Sequence, residues 1–329
     1  MKKIKLIPAL AMVALLAGCN GSKSLSIKAP KFAKEGKEVE FSAWKEGLSD
    51  ENLFGILSTY EFKEMSSTVL NVSFANKSST KIKEGKKVVL EKDQQALEQM
   101  VLKSDLENDR INVQMEEREI LNSKGESGSD NSSEVYKSTM QYQTCQVDGK
   151  LSLVMVDVEN ETYDNWGETS KEDAHEELQY GTMSMIFGYG FDSSVFTFLN
   201  NFDSYSDEEK ALYKFYQNGK IFTLTYEDKS TNEQKDGDDN VVYTSEYEFA
   251  WKYQIDATNG ASYSFKSAYD AKDVITYKQN DTLDGKVILA GSVVESKESE
   301  YYEMTNKLQK VEVKEIDISK LRAASNLLP

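Results

Sequence analysis

The chain has 329 residues and a formal charge of −17, from 39 basic and 56 acidic side chains, with one histidine and two cysteines. An acidic surface of this size repels polyanions, which excludes nucleic acid as a partner. A lone histidine excludes both a histidine-based triad with a spare partner and a histidine-rich metal site.

Lys2, Lys3 and Lys5 open the chain, and an apolar run from Ile4 to Leu16 follows them. That run is too short and wrongly flanked for a lasting membrane span, so it reads as a secretory signal. It closes in Leu16-Ala17-Gly18-Cys19, which resembles the lipobox of bacterial lipoproteins at every position. The resemblance implies cleavage after Gly18, a signal peptide over residues 1–18 and a diacylglyceryl group on Cys19. Two or three acyl chains there give stable anchoring where one is marginal. Residues 19–24 (Cys19-Asn20-Gly21-Ser22-Lys23-Ser24) then form a short lipidated tether. Without the leader and its three lysines the charge is −20, which anionic headgroups repel. The membrane is therefore expected as a partner through the N-terminal lipid alone, with the chain on the extracytoplasmic face. Lipid on Cys19 leaves Cys145 without a disulfide partner. In the strand-like stretch Met140–Val147 it has no cationic neighbour to favour a thiolate, and it reads as structural.

Residues 25–87 read as an N-terminal extension packed on the domain that follows, with a helix starting near Asp50 and carrying Leu53, Phe54, Ile56 and Leu57. Residues 88–322 form the main domain. Leu90 to Leu106 has Leu90, Leu97, Met100 and Val101 on one stripe and predicts an amphipathic helix. Alternation in Ile111-Val113-Met115 and Tyr136-Met140-Tyr142 predicts strands, and Leu151 to Val158, apolar on both parities, predicts a strand covered on both faces. Ser193 to Phe202 predicts a further helix. Ser206-Asp207-Glu208-Glu209 is a capping box that fits a helix over 207–217. The same stretch also fits a hairpin through Asn218-Gly219 to Phe222-Leu224-Tyr226, and its Tyr and Phe content favours the hairpin. Asp148-Gly149, Asn259-Gly260 and Asp284-Gly285 repeat the turn signal.

The clearest element is Val241 to Ile255, where Tyr243, Tyr247, Phe249, Trp251, Tyr253 and Ile255 share one parity and the other is mainly polar: a long strand with one aromatic and one wet face. Tyr263-Phe265 and Ile275-Tyr277 continue the alternation. The polar stretches Lys124–Ser133 and Lys229–Asn240 read as mobile loops. The fold class predicted is α+β: a large curved antiparallel sheet, an incomplete barrel, with a few amphipathic helices on its concave face.

No catalytic or cofactor motif assembles. His175, in Glu172-Asp173-Ala174-His175-Glu176-Glu177, reads as part of an exposed acidic turn or helix start. Asp236-Gly237-Asp238-Asp239-Asn240 begins like an EF-hand loop, but Val241 and Tyr247 stand where its glycine and glutamate are required. Gly188-Tyr189-Gly190 starts a dinucleotide-like pattern that Ser193 interrupts. The expectation is a protein without enzymatic activity, metal or cofactor.

In its order of parts, and in the lipobox Leu16–Cys19, the chain resembles the LolA/LppX-like lipoprotein carriers over about residues 88–320, although no motif of that family matches residue by residue. The resemblance implies an incomplete β-barrel, plugged by helices, that holds lipid acyl chains. On that reading Tyr247, Phe249, Trp251 and Tyr253, with Phe196, Phe198 and Phe202, line a concave site for a lipid or another hydrophobic small molecule. The alternative is a surface-exposed adhesin or envelope scaffold without a ligand cavity.

Overall fold

The computed structural model describes residues 24–50, 67–125, 128–190, 198, 201–259, 262–283 and 286–324. The strand β1 (Lys37–Val39) and the helix α1 (Phe41–Asp50) precede a run of long strands: β2 (Ser67–Glu84), β3 (Lys87–Asp105), β4 (Arg110–Gly125) and β5 (Gly128–Val147). The shorter β6 (Lys150–Asp157) and β7 (Thr162–Glu168) lead into α2 (Lys171–Gly190), a 3-10 turn at Phe202–Ser204 and the single-turn α3 (Asp207–Lys210). The chain returns through β8 (Tyr213–Asn218), β9 (Ile221–Lys235), β10 (Val241–Asn259), β11 (Ser262–Tyr277), the small hairpin β12 (Asp281–Leu283) and β13 (Lys286–Ile288), β14 (Ser292–Leu308) and β15 (Arg322–Ala323).

Thirteen of these strands join in one sheet, in the order β1-β8-β9-β10-β11-β14-β2-β3-β4-β5-β6-β7-β15. Every pairing is antiparallel except β15 on β7, which is parallel. The sheet is open, which corrects the incomplete barrel read from the sequence. Closure requires the β1 side to pair with the β7 side, and those sides instead end in strands of three and two residues that offer almost no free ladder.

The segment Leu90–Leu106, expected as a helix, is β3, paired to β2 and β4 along its length. Its Glu, Lys and Gln content resembles a helix surface, yet the same residues suit a strand wetted on both faces, and two neighbours that complete its ladder override local propensity. Lys124–Ser133 and Lys229–Asn240, expected as loops, are for the most part the outer ends of β4, β5 and β9, and of their described residues only Asp236–Asn240 forms a turn. The expected helix near Asp50 lies outside the described residues, as does most of that at Ser193–Phe202. Between Ser206 and Tyr226 the hairpin prevails, and the helix that fitted 207–217 is confined to its first turn. Ser206 and Glu209 form the capping box of α3, and the favoured hairpin β8–β9 follows at once. Its turn places Gly219 at φ 60°, and Asp148-Gly149, at φ 52° and 77°, makes the two-residue turn between β5 and β6.

The two faces are finished differently. On one, α1 brings Trp44 and Leu48, and α2 brings Leu178, onto Leu70, Met100, Leu102, Ile111, Phe222, Leu224, Tyr253, Phe265 and Met304, all buried. Gly47 lets α1 come this close, since a Cβ there would lie 2.8 Å from the Phe222 ring. Farther along the same face a second cluster joins Ile82, Tyr277, Ile288 and Val294 beneath the β12–β13 hairpin.

The opposite face is crossed by two straps of irregular chain held by buried glutamines. The first starts at Leu25, whose N–H donates to Gln95 Oε1 at 2.8 Å, and passes Gln254, which both accepts from Ala33 N–H and donates to Ala33 C=O. Lys252 pairs with Glu35 and sits 4.9 Å over the Phe32 ring. The second strap, residues 312–316, donates from Val313 N–H to buried Asp105 at 3.0 Å and exchanges hydrogen bonds with Gln143 through Ile316.

Asp105 is fully buried and also accepts from the Asn108 amide. Asp105→Ala strands the buried Val313 N–H, while the exposed Asn108 amide turns to water, and is expected to cost about 2 kcal/mol. The loss should appear as a lowered urea midpoint, together with new protease cleavage between residues 309 and 317.

Candidate functional site

The seven aromatic residues singled out from the sequence do not form one surface. Tyr253 is 1% exposed and stacks edge-on against Phe265 at 4.1 Å, deep under the helices. Phe198 and Phe202, 5% and 6% exposed, pack among Phe41, Tyr213 and Phe215 with centroids 4.2–6.3 Å apart. These three are core. Trp251 marks the border of that core and donates its Nε1–H to Ser267 at 3.1 Å. Phe196 lies outside the described residues, and so does Cys19.

Tyr247 and Phe249 stand farther along β10, half-exposed and outside both clusters of buried apolar residues. Register carries them beside two rings that β10 alone does not announce. Trp251 faces Tyr226 on β9 and Tyr269 on β11. Phe249 touches Tyr226 at 5.2 Å, Tyr269 at 5.0 Å and Tyr247 at 6.3 Å. The result is a cluster of rings, with Phe249 edge-on to Tyr226 and Tyr269, on a stretch of sheet between the two buried clusters. In the sequence the only sign of Tyr226 and Tyr269 as partners is shared parity on neighbouring strands, which depends on knowing the register.

Carboxylates stand among these rings. Asp228 is opposite Phe249, Asp273 is opposite Tyr247, and Glu298 and Glu300 continue the same rows on β14. Asp273 accepts from Ser245 Oγ at 2.9 Å, and Glu300 accepts from the Asn76 amide at 3.2 Å. Burial, and next the charge of Glu298, push the Tyr269 phenol up to about 12. Tyr226 and Tyr247 move upward as well, from burial first and the Asp228 charge second. Partial burial and a negative field thus act on the same rings.

The other candidates resolve into structure. His175 sits in the first turns of α2, as read, and its Nδ1 lies 2.8 Å from Oδ1 of buried Asp109, tying the helix to the end of the 3-10 turn at Leu106–Asn108. Asp236 spends its carboxylate on the N–H groups of Asp238 and Asn240 in a tight turn, which lowers its pKa. Burial raises the Cys145 thiol above its ordinary pKa. Among the described residues, no group of three or more His, Cys, Asp or Glu side chains is placed to hold a metal ion. A broad open hollow of about 610 Å³ lies on the strap-bearing side, bordered by Asn71, Gln99, Gln114, Lys137, Thr139 and Thr305, well away from the ring cluster.

No protein-family model matches the chain, and no curated protein does. Solved structures with partial likeness are the outer membrane protease OmpT of Escherichia coli (8% identity, 75% of this chain and 98% of that one, TM-score 0.21) and OccK7 (OpdD) of Pseudomonas aeruginosa (7%, 73% and 99%, TM-score 0.18). A Pseudomonas aeruginosa FadL homologue is fainter still (6%, 74% and 90%, TM-score 0.13). Scores this low carry no argument about fold or function.

Two predictions separate core from surface. Tyr253→Ala should cost about 3–5 kcal/mol by denaturant unfolding, and Tyr247→Ala less than about 1 kcal/mol; equal losses would show that Tyr247 is also core. The second concerns pH. An unfolded tyrosine ionises near pH 10, so the stabilising effect of a neutral Tyr269 is complete below that pH and is lost as the pH rises towards 12. Unfolding midpoints measured from pH 9 to 12 should therefore fall less steeply for Tyr269→Phe than for the unmodified chain.

Proposed function

We propose that the protein is a lipid-anchored envelope protein of the extracytoplasmic face, built as a surface-exposed interaction scaffold rather than as a container for a lipid. The observation that carries this reading is the fate of the aromatic flank. Tyr253, Phe198 and Phe202 are packed solid, while Tyr247 and Phe249 stand half-exposed among carboxylates, outside both buried clusters of the described residues. An acyl chain needs an enclosed apolar cavity. The hollow of about 610 Å³ is bordered largely by amide, hydroxyl and charged side chains and sits on the other face.

Anchoring rests on Leu16-Ala17-Gly18-Cys19, with residues 1–18 as the leader and Cys19 as the acylated residue. No helix among the described residues is long and apolar enough to cross a membrane. The first strap contact, at Leu25, follows Cys19 by six residues, a reach of at most about 20 Å when fully extended. The strap-bearing side of the sheet is thereby held near the bilayer and the ring-bearing side is presented away from it.

Radiolabelled palmitate should enter the unmodified chain and not Cys19→Ser, which should move to the soluble fraction of the envelope. Label retained in the variant would refute the anchor. The scaffold reading is checked by organic extraction of purified protein together with titration of a fluorescent fatty acid. The expectation is no stoichiometric lipid and no saturable binding.

A further inference from the structure

The five adjacent strands β9, β10, β11, β14 and β2 share a block of rows on the helix-bearing side between the two hydrophobic clusters, with Trp251 packed at the border of the first. Its rows run Tyr226-Trp251-Tyr269-Glu300-Asn76, Asp228-Phe249-Ala271-Glu298-Ser78 and Ser230-Tyr247-Asp273-Ser296-Thr80. It holds five rings, four carboxylates and no cation. The lysines of the same stretch, Lys77, Lys229, Lys272 and Lys297, all fall on the opposite parity and therefore on the other face. That face pairs its charges internally, as in Lys229–Glu248, Lys81–Glu91 and Lys83–Glu295. Within these fifteen positions the ring face has acids and no base; the first described base along the rows is Lys92 on β3, opposite Thr80 at the far edge from the rings.

Deepening the scaffold reading on which it rests, we propose that this block is the docking surface for a cationic, arginine- or lysine-bearing polypeptide segment of a partner. The chemistry matches on two counts. A guanidinium or ammonium over a Tyr or Phe ring is attracted by the ring's negative face, and a carboxylate beside the ring adds charge and a hydrogen-bond acceptor. The aliphatic stems of such side chains pack against half-exposed rings.

Size points to a segment rather than a folded domain. Five strands by five residues cover roughly 400 Å², about half of what each side of a stable protein–protein interface contributes. A second copy of the chain laid face to face would set acids against acids. A lipid tail would strip water from four carboxylates without replacing it.

The test uses the acylated full-length product in neutral phosphatidylcholine vesicles, titrated with a fluorescent octa-arginine peptide and with octa-glutamate as control. Octa-arginine should bind saturably and weaken with salt, and octa-glutamate should not bind. Asp228→Asn with Glu298→Gln should weaken binding about tenfold, and Phe249→Ala, which keeps every charge, about fivefold. Glu246→Gln with Glu248→Gln removes two charges from the opposite face and should leave affinity within about twofold.

Equal loss from the two double variants would reduce the effect to overall charge and overturn the proposal. So would the absence of saturable binding, or self-association abolished by Phe249→Ala, which would assign the surface to a second copy. Displacement of octa-arginine by a fatty acid would likewise overturn it. Circular dichroism melts identify any variant that has failed to fold, and Tyr247→Ser then replaces it with the same expectation as Phe249→Ala. Palmitate labelling of Cys19 is read separately, so loss of this surface leaves the anchored scaffold standing, and loss of the anchor leaves this surface standing.

Discussion

Backbone hydrogen bonding between strands of equal length is the constraint on which the rest of the structure depends. Strands of 15–20 residues extend well past the apolar patch under the helices, so much of their length has no second layer to bury against. A strand wetted on both sides gains little from hydrophobic packing, and its amides remain satisfied only while both neighbours run alongside. The register meets that need. β10 is matched to β9 and to β11 over nearly its whole length, and β2 is matched to β14 and β3 from Thr68 to Glu84. Shortening one strand would orphan two ladders, so the extended middle of the sheet stands or falls together.

That constraint explains where the polar residues go. Straps crossing a sheet present backbone N–H and C=O groups to a surface whose own backbone groups are already paired, so side chains must supply the partners. Glutamine carries both a donor and an acceptor and suits the task, as Gln254 shows by holding Ala33 through both groups and Gln143 by holding Ile316 in the same way. Ion pairs fill the uncovered remainder of that face. They are exposed and individually worth little, but they place Lys77, Lys229, Lys272 and Lys297 on one side and leave a local surplus of carboxylates around the rings on the other.

Much of the fold was legible in residue order where one side of a strand is buried. Tyr253 and Ile255 on β10, Ile111 and Val113 on β4, and the turn at Asp148-Gly149 all follow from alternation and turn chemistry. Legibility failed where burial stops. Residues 91–99 of β3, rich in Glu, Lys and Gln, carry no period of two, because they lie between the two buried clusters and join neither, and with Leu90 they read as a helix. The outer ends of β4, β5 and β9 read as loops for the same reason. Tyr247 and Phe249 were visible as part of an aromatic stripe. The stripe could not show that its two ends have different fates, since Tyr253 lies under α1 and its neighbours while Tyr247 lies under nothing described. The companions Tyr226 and Tyr269, and the segregation of charge, emerge only from register.

The character of the ring face follows from the cost of covering it. Closing an apolar layer over Phe249 and Tyr269 would also desolvate Asp228 and Glu300, which stand directly beside them in their rows, and Asp273 and Glu298, which stand on the neighbouring positions of β11 and β14. Burying an unpaired carboxylate costs several kcal/mol, whereas covering a ring returns only about 2 kcal/mol. With four acids among five rings the balance opposes any uncharged cover, including a curled sheet or an acyl chain, and it reverses when the cover brings its own positive charge. The same arithmetic accounts for an open sheet: the acids that keep this stretch from closing on itself are the groups that a cationic partner would satisfy.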